Sequence, residues 1–86
     1  MTRARPDSTD RWSQEFGARL REIRLARGMS QRELSMACTL SQPFISDAEQ
    51  GRTNPTLATI RELADALGVV PSALLASSSS PIDLVG

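Results

Sequence analysis

The chain has 86 residues, 40% hydrophobic and 23% charged, so it is too short for two cores and too apolar to stay unfolded. No His, one Cys and 3% aromatics exclude disulfide frameworks, Cys/His zinc sites, His-based catalysis and a stacking platform for single strands, and no cofactor or metal is expected. Net charge is zero but unevenly laid: nine of the ten basic residues, all Arg, lie in residues 1–52 against seven acids, which permits one phosphate-facing surface.

Residues 1–11 are polar, contain Pro6 and lack both periodicity and the apolar run of a secretory signal; they read as a mobile tail. Beyond them apolar residues recur at helical spacing and no stretch alternates as a half-buried strand does, so an all-α domain is expected over 12–76. The first helix is expected over Ser13–Arg27, with Phe16, Leu20, Ile23 and Arg24 on one face, Trp12 at the core edge and Gly28 as its stop. Ser30 and Glu33 then form an S-x-x-E capping box, flanked by Met29 and Leu34 as a hydrophobic staple, which starts a second, short helix. Its inward residues are read as Leu34, Ala37 and Cys38, the thiol serving as a small hydrophobe.

Thr39-Leu40-Ser41 breaks the pattern, and Ser41 is the N-cap of a third helix beginning at Gln42. Pro43 suits its first turn, where a missing N–H costs no intrahelical bond, and Phe44, Ile45, Ala48 and Glu49 form the inward stripe up to Gly51. After the polar turn Arg52-Thr53-Asn54-Pro55, Thr56 caps a fourth helix whose inward residues are read as Leu57, Ile60, Leu63, Ala64 and Leu67, ending at Gly68. Pro71 opens a fifth helix ending near Leu75, and the serine run makes residues 77–86 a second mobile tail. The least polar stretch, Ala64 to Ala76, is broken by Asp65 and Pro71 and falls short of the roughly 18 to 20 apolar residues that span a bilayer. The expected location is the cytoplasm, with no membrane partner.

Two short helices joined by a tight turn, each with a Ser cap, form a helix-turn-helix, in which the second helix enters the DNA major groove. The residues from Phe16-Gly17-x-x-Leu20-Arg21-x-Ile23-Arg24 through Gly28-Met29-Ser30-Gln31-x-Glu33-Leu34, Leu40-Ser41-Gln42, Ile45-Ser46, Glu49-x-Gly51-Arg52, Asn54-Pro55-Thr56-Leu57 and Leu63-Ala64-x-Ala66-Leu67-Gly68-Val69 extend that reading. In that order the chain resembles the phage repressor/Cro-like (XRE) helix-turn-helix family from about Phe16 to Leu75. The resemblance implies a compact five-helix domain that binds double-stranded DNA. It also implies a structural salt bridge between Arg24 and Glu49, two charges that stand on otherwise apolar stripes.

Candidate contacts follow from the chemistry of each side chain. Gln31 stands at a helix start, where an amide can donate to a phosphate, and in the family the matching residue clamps the DNA backbone. Gln42 is placed to read a base, because an amide bonds bidentately to adenine N6 and N7. Ser46 can donate or accept, Pro43 and Phe44 can touch a thymine methyl, and Asp47 can accept from cytosine N4 while repelling phosphates. Arg52, Thr53 and Asn54 resemble the family's second phosphate clamp. Two departures from the family stand out: Thr39 fills a turn position where Gly is frequent, and Ser35 a packed position where Ala is usual.

The expected function is that of a sequence-specific, autoregulating repressor acting as a homodimer on a near-palindromic operator, with no room for a ligand-sensing or catalytic domain. Val69, Val70, Leu74 and Leu75, together with Ile82, Leu84 and Val85 of the tail, are the expected dimer surface. Restriction–modification controller and toxin-binding antitoxin are alternative settings for the same fold. A protein-interaction module that no longer binds DNA is the reading from another class, favoured by zero net charge and Asp47.

Overall fold

The computed structural model describes residues 11–75; the remaining tail residues, including Ile82, Leu84 and Val85, lie outside the described residues. Five helices follow in chain order: α1 (Arg11–Ala26), α2 (Gln31–Met36), α3 (Gln42–Glu49), α4 (Leu57–Leu67) and α5 (Pro71–Leu75). No strand occurs among the described residues, and the all-α reading holds.

Local chemistry sets the helix starts. Ser30 Oγ accepts from the Glu33 N–H at 2.9 Å and Glu33 Oε1 accepts from the Ser30 N–H at 2.7 Å, completing the capping box of α2. Ser41 Oγ accepts from the Phe44 N–H at 3.1 Å for α3, and Thr56 Oγ1 from the Thr59 N–H at 3.1 Å for α4. Each cap satisfies a donor that the helix itself leaves open, worth about 1 kcal/mol. α1 already holds at Arg11, the first described residue and two before the expected start, with Arg11 and Trp12 exposed.

α1 lies at the centre, packed on α3 and α5, while α2 packs on α3 and α4 on α5. The core joins Phe16, Leu20 and Ile23 of α1 to Leu34, Ile45, Ala48, Ile60, Leu63, Ala64, Leu67 and Leu74. Full burial of each large aliphatic contributes about 1.5–3 kcal/mol. Gly17 brings the backbones of α1 and α3 together: a Cβ there would lie 2.3 Å from the Ala48 carbonyl oxygen and 2.7 Å from that of Glu49. Arg19 of α1 and Arg27 just beyond its end reach the C-terminal helices, Arg19 Nε donating to the Ala73 carbonyl at 3.0 Å and Arg27 Nη2 to that of Gly68 at 3.3 Å.

Three expectations of burial are corrected. Leu57 is 80% exposed, because it is the first residue of α4 and no neighbouring element covers that turn. Ala37 is exposed as the C-cap of α2, whose last turn faces solvent. Leu74, expected on a dimer surface, is fully buried in the core, so it has no area to offer a partner.

Candidate nucleic-acid interface

The helix-turn-helix is α2, its turn and α3. Its turn is held from outside the motif: Glu62 of α4 accepts hydrogen bonds from both the backbone N–H and the hydroxyl of Thr39. These two bonds hold the Glu62 carboxyl below its ordinary value. Thr39 thus supplies a hydroxyl handle where the family frequently has Gly. Ser35, half-buried, turns its hydroxyl to the Arg32 carbonyl at 2.7 Å, and the half-buried Cys38 thiol donates to the Leu34 carbonyl at 3.3 Å.

Arg24 and Glu49 meet across α1 and α3. Arg24 Nε donates to Glu49 Oε2 at 2.6 Å and Nη2 to Oε1 at 3.0 Å, while Nη1 donates to the Met29 carbonyl at 2.7 Å. The side chains are only 8% and 3% exposed, so the pair sits in a poorly screened environment where its hydrogen bonds must be complete. Gln31 joins them, its Nε2 donating to Glu49 Oε1 at 3.0 Å. A carboxylate accepts only, which fixes the amide with nitrogen inward and leaves its second N–H for another acceptor. Nothing in the sequence spacing pointed to this third member.

α3 presents a polar outer face. Gln42 and Pro43 are exposed, Ser46 and Asp47 half-exposed, and Phe44 rests partly on the core. Gln50, which sequence reasoning passed over, is exposed and donates from Nε2 to Ser46 Oγ at 3.1 Å; its position one turn beyond Ser46 was the available signal. α3 ends in a Schellman turn: the Arg52 N–H bonds the Asp47 carbonyl at 2.9 Å and the Gly51 N–H that of Ala48 at 3.1 Å, with Gly51 at φ 77°. This left-handed turn returns the chain over α3, setting Arg52 Nη1 3.6 Å from Asp47 Oδ1. Asn54 is exposed, whereas the Thr53 hydroxyl is enclosed without a hydrogen-bond partner.

The structure therefore gathers Gln31, Gln42, Ser46, Asp47 and Arg52 on and around α3. Val69, half-buried, and Val70, exposed, lie just before α5, and Leu75 is exposed as its last residue. Trp12, Glu15, Phe16, Leu74 and Leu75 line a shallow recess of about 110 Å³, where Trp12 is 58% exposed rather than closing the core edge. Among the described residues no group of His, Cys, Asp or Glu is arranged to hold a metal, and no helix is long and apolar enough to cross a membrane.

The family described as a helix-turn-helix domain matches residues 15–77. The chain is 44% identical over 61 residues to the control protein C.BamHI of Bacillus amyloliquefaciens, covering 70% of this chain and 75% of that protein. It is also 44% identical over 57 residues to the HTH-type transcriptional regulator DdrOP3 of Deinococcus deserti, covering 66% of this chain but only 44% of that protein, so it spans less than half of that relative's length. Among solved structures, the restriction-modification controller protein C.AhdI from Aeromonas hydrophila is similar with a TM-score of 0.70 and 39% identity, covering 72% of this chain and 94% of that one. The chain belongs to the helix-turn-helix domain family, of the phage repressor/Cro-like (XRE) kind, whose members are DNA-binding transcription regulators rather than enzymes.

Proposed function

We propose that the chain is a sequence-specific binder of double-stranded DNA that acts in the cytoplasm as an autoregulating repressor. The observation that carries the reading is the outer face of α3, where Gln42 is exposed in the first turn and Ser46 follows one turn on, with Gln31 bonded to Glu49 and Arg52 beside Asp47 at the last turn of the same helix. Such a face sets base-reading amide and hydroxyl groups on a helix that is contacted by two groups able to grip phosphate. Gln42 reads adenine, with Ser46, Asp47, Pro43 and Phe44 beside it; Gln31, Arg52, Asn54 and Thr53 hold the backbone. One module offers few contacts, so two copies bind half-sites about one helical turn, roughly 34 Å, apart. Exposed Val70 and Leu75, with half-buried Val69, supply the apolar area for that pairing.

The likeness to two control proteins favours a restriction–modification controller as the second reading, with the same chemistry and a different regulated gene. Fluorescence anisotropy with duplexes recovered by site selection, set against scrambled duplexes across a salt series, tests both. A preference of roughly 10³-fold or more, lost in Gln42→Ala, is the expected result. Equal weak binding to every duplex would reject specific reading.

A further inference from the structure

Asp47 is hard to account for as part of a DNA-binding face. It is a carboxylate on the helix that approaches phosphates, and it lies in the last turn of α3, where the negative end of the helix dipole disfavours it. It caps no helix, and among the described residues the charge that its carboxylate pairs with is that of Arg52. Their backbones are joined by the Schellman hydrogen bond, which keeps the two side chains side by side. The pair is loose: at 3.6 Å it is an ion pair without a hydrogen bond, and the side chains are 49% and 63% exposed. Neither group is committed, so either can exchange its partner.

We propose that Asp47 and Arg52 form an exchangeable latch, in which Asp47 occupies the guanidinium that grips the DNA backbone and releases it where the duplex offers cytosine N4 as the carboxylate's replacement donor. The proposal rests on α3 being the DNA-facing helix. On an arbitrary duplex Asp47 keeps part of the Arg52 charge neutralised and adds repulsion of its own, so non-specific binding is weak. On a duplex with a cytosine under Asp47, the carboxylate accepts from the N4 amino group and Arg52 turns to a phosphate. A contact with the base is thereby coupled to a contact with the backbone. Specificity comes as much from suppressing the wrong duplex as from holding the right one.

The test uses the full chain, Asp47→Ala, Arg52→Gln and the double variant, each titrated into a site-selected duplex and a random-sequence duplex from about 50 mM salt upward. Asp47→Ala is expected to tighten the random duplex about two- to fivefold for each α3 engaged, the range an exposed ion pair supports. Its salt dependence is expected to steepen by about 0.9 in log–log slope per phosphate gained. The site-selected duplex is expected to bind no more tightly, so discrimination falls. In the Arg52→Gln background the gain on random DNA is expected to disappear, since the two effects pass through one pair. Equal tightening on both duplexes, an undiminished gain without Arg52, or no change at all overturns the latch while leaving DNA binding intact. Failure of the unaltered chain to bind any duplex at low salt removes the DNA-facing reading first, and the latch with it.

Discussion

Gly17→Ala adds one methyl group at the tightest crossing in the molecule. The new Cβ would stand 2.3 Å from the Ala48 oxygen, 2.7 Å from the Glu49 oxygen and 2.8 Å from the Glu49 carbonyl carbon, all backbone atoms that no rotamer change can move aside. To reach the 3.0 Å below which such contacts essentially never occur, α1 and α3 must separate by about 0.7 Å. Overpacking of this kind costs about 1–3 kcal/mol, and rigid backbone on the receiving side places it at the upper end. Replacing a helical Gly by Ala returns about 1 kcal/mol of helix propensity, so the net loss is about 2 kcal/mol. For a domain of this size that lowers Tm by about 8–16 °C. Thermal and urea unfolding followed by circular dichroism measure it, with an unchanged m-value marking a change in stability alone. Ala18→Gly at the exposed neighbouring position isolates the propensity effect and is expected to cost about 1 kcal/mol. A Gly17→Ala protein as stable as its parent, or more stable, would refute the argument, because propensity alone predicts that sign.

Leu63→Ala removes a fully buried side chain and is expected to cost about 2–5 kcal/mol by urea unfolding, with the spread set by how far the core collapses around the cavity. Arg24→Met leaves Glu49 buried and charged without its main partner and is expected to cost about 3–5 kcal/mol; adding Glu49→Leu to it restores much of the loss, a recovery read from a double-mutant cycle. The Thr39 bonds hold the Glu62 carboxyl below its unfolded value, so the clamp's contribution is fully present above about pH 4.5 and fades as pH falls through the lowered folded value. Amide exchange at Thr39 followed over that range reads the loss, and Glu62→Gln removes the pH-dependent component. A shift of the Thr39 amide that Glu62→Gln leaves in place would assign the titration to another group.

Capping was legible in the sequence because it is local. Ser30, Ser41 and Thr56 each meet an N–H three residues ahead, and no other part of the fold has to be known. Leu57, Ala37 and Leu74 were misplaced because periodicity gives the face of a helix and not where its neighbours stop: the first two sit at helix ends that nothing covers, and the third under α1. In the candidate site, Arg24 and Glu49 stood out as charges on apolar stripes, yet their partnership came only with the family resemblance. Gln31 on Glu49 and Glu62 on Thr39 span 18 and 23 residues and depend on the angle between helices, which no spacing encodes. Gly17 appeared in the motif without a reason; the reason is a crossing distance.

One carboxylate, that of Glu49, takes donors from α1 and α2 while belonging to α3. Aliphatic contacts set how near these helices lie but resist rotation weakly, whereas three directional bonds converging on two oxygen atoms resist it in every plane. Orientation and cohesion are therefore held by separate atoms. Substitution among Leu20, Leu34 and Ile45 can raise or lower the melting point while the bearing of α3 relative to α2 stays fixed, and residues on the outer face can be exchanged without touching either. A lineage carrying this joint is free to vary its outer face and the temperature that it tolerates along independent paths.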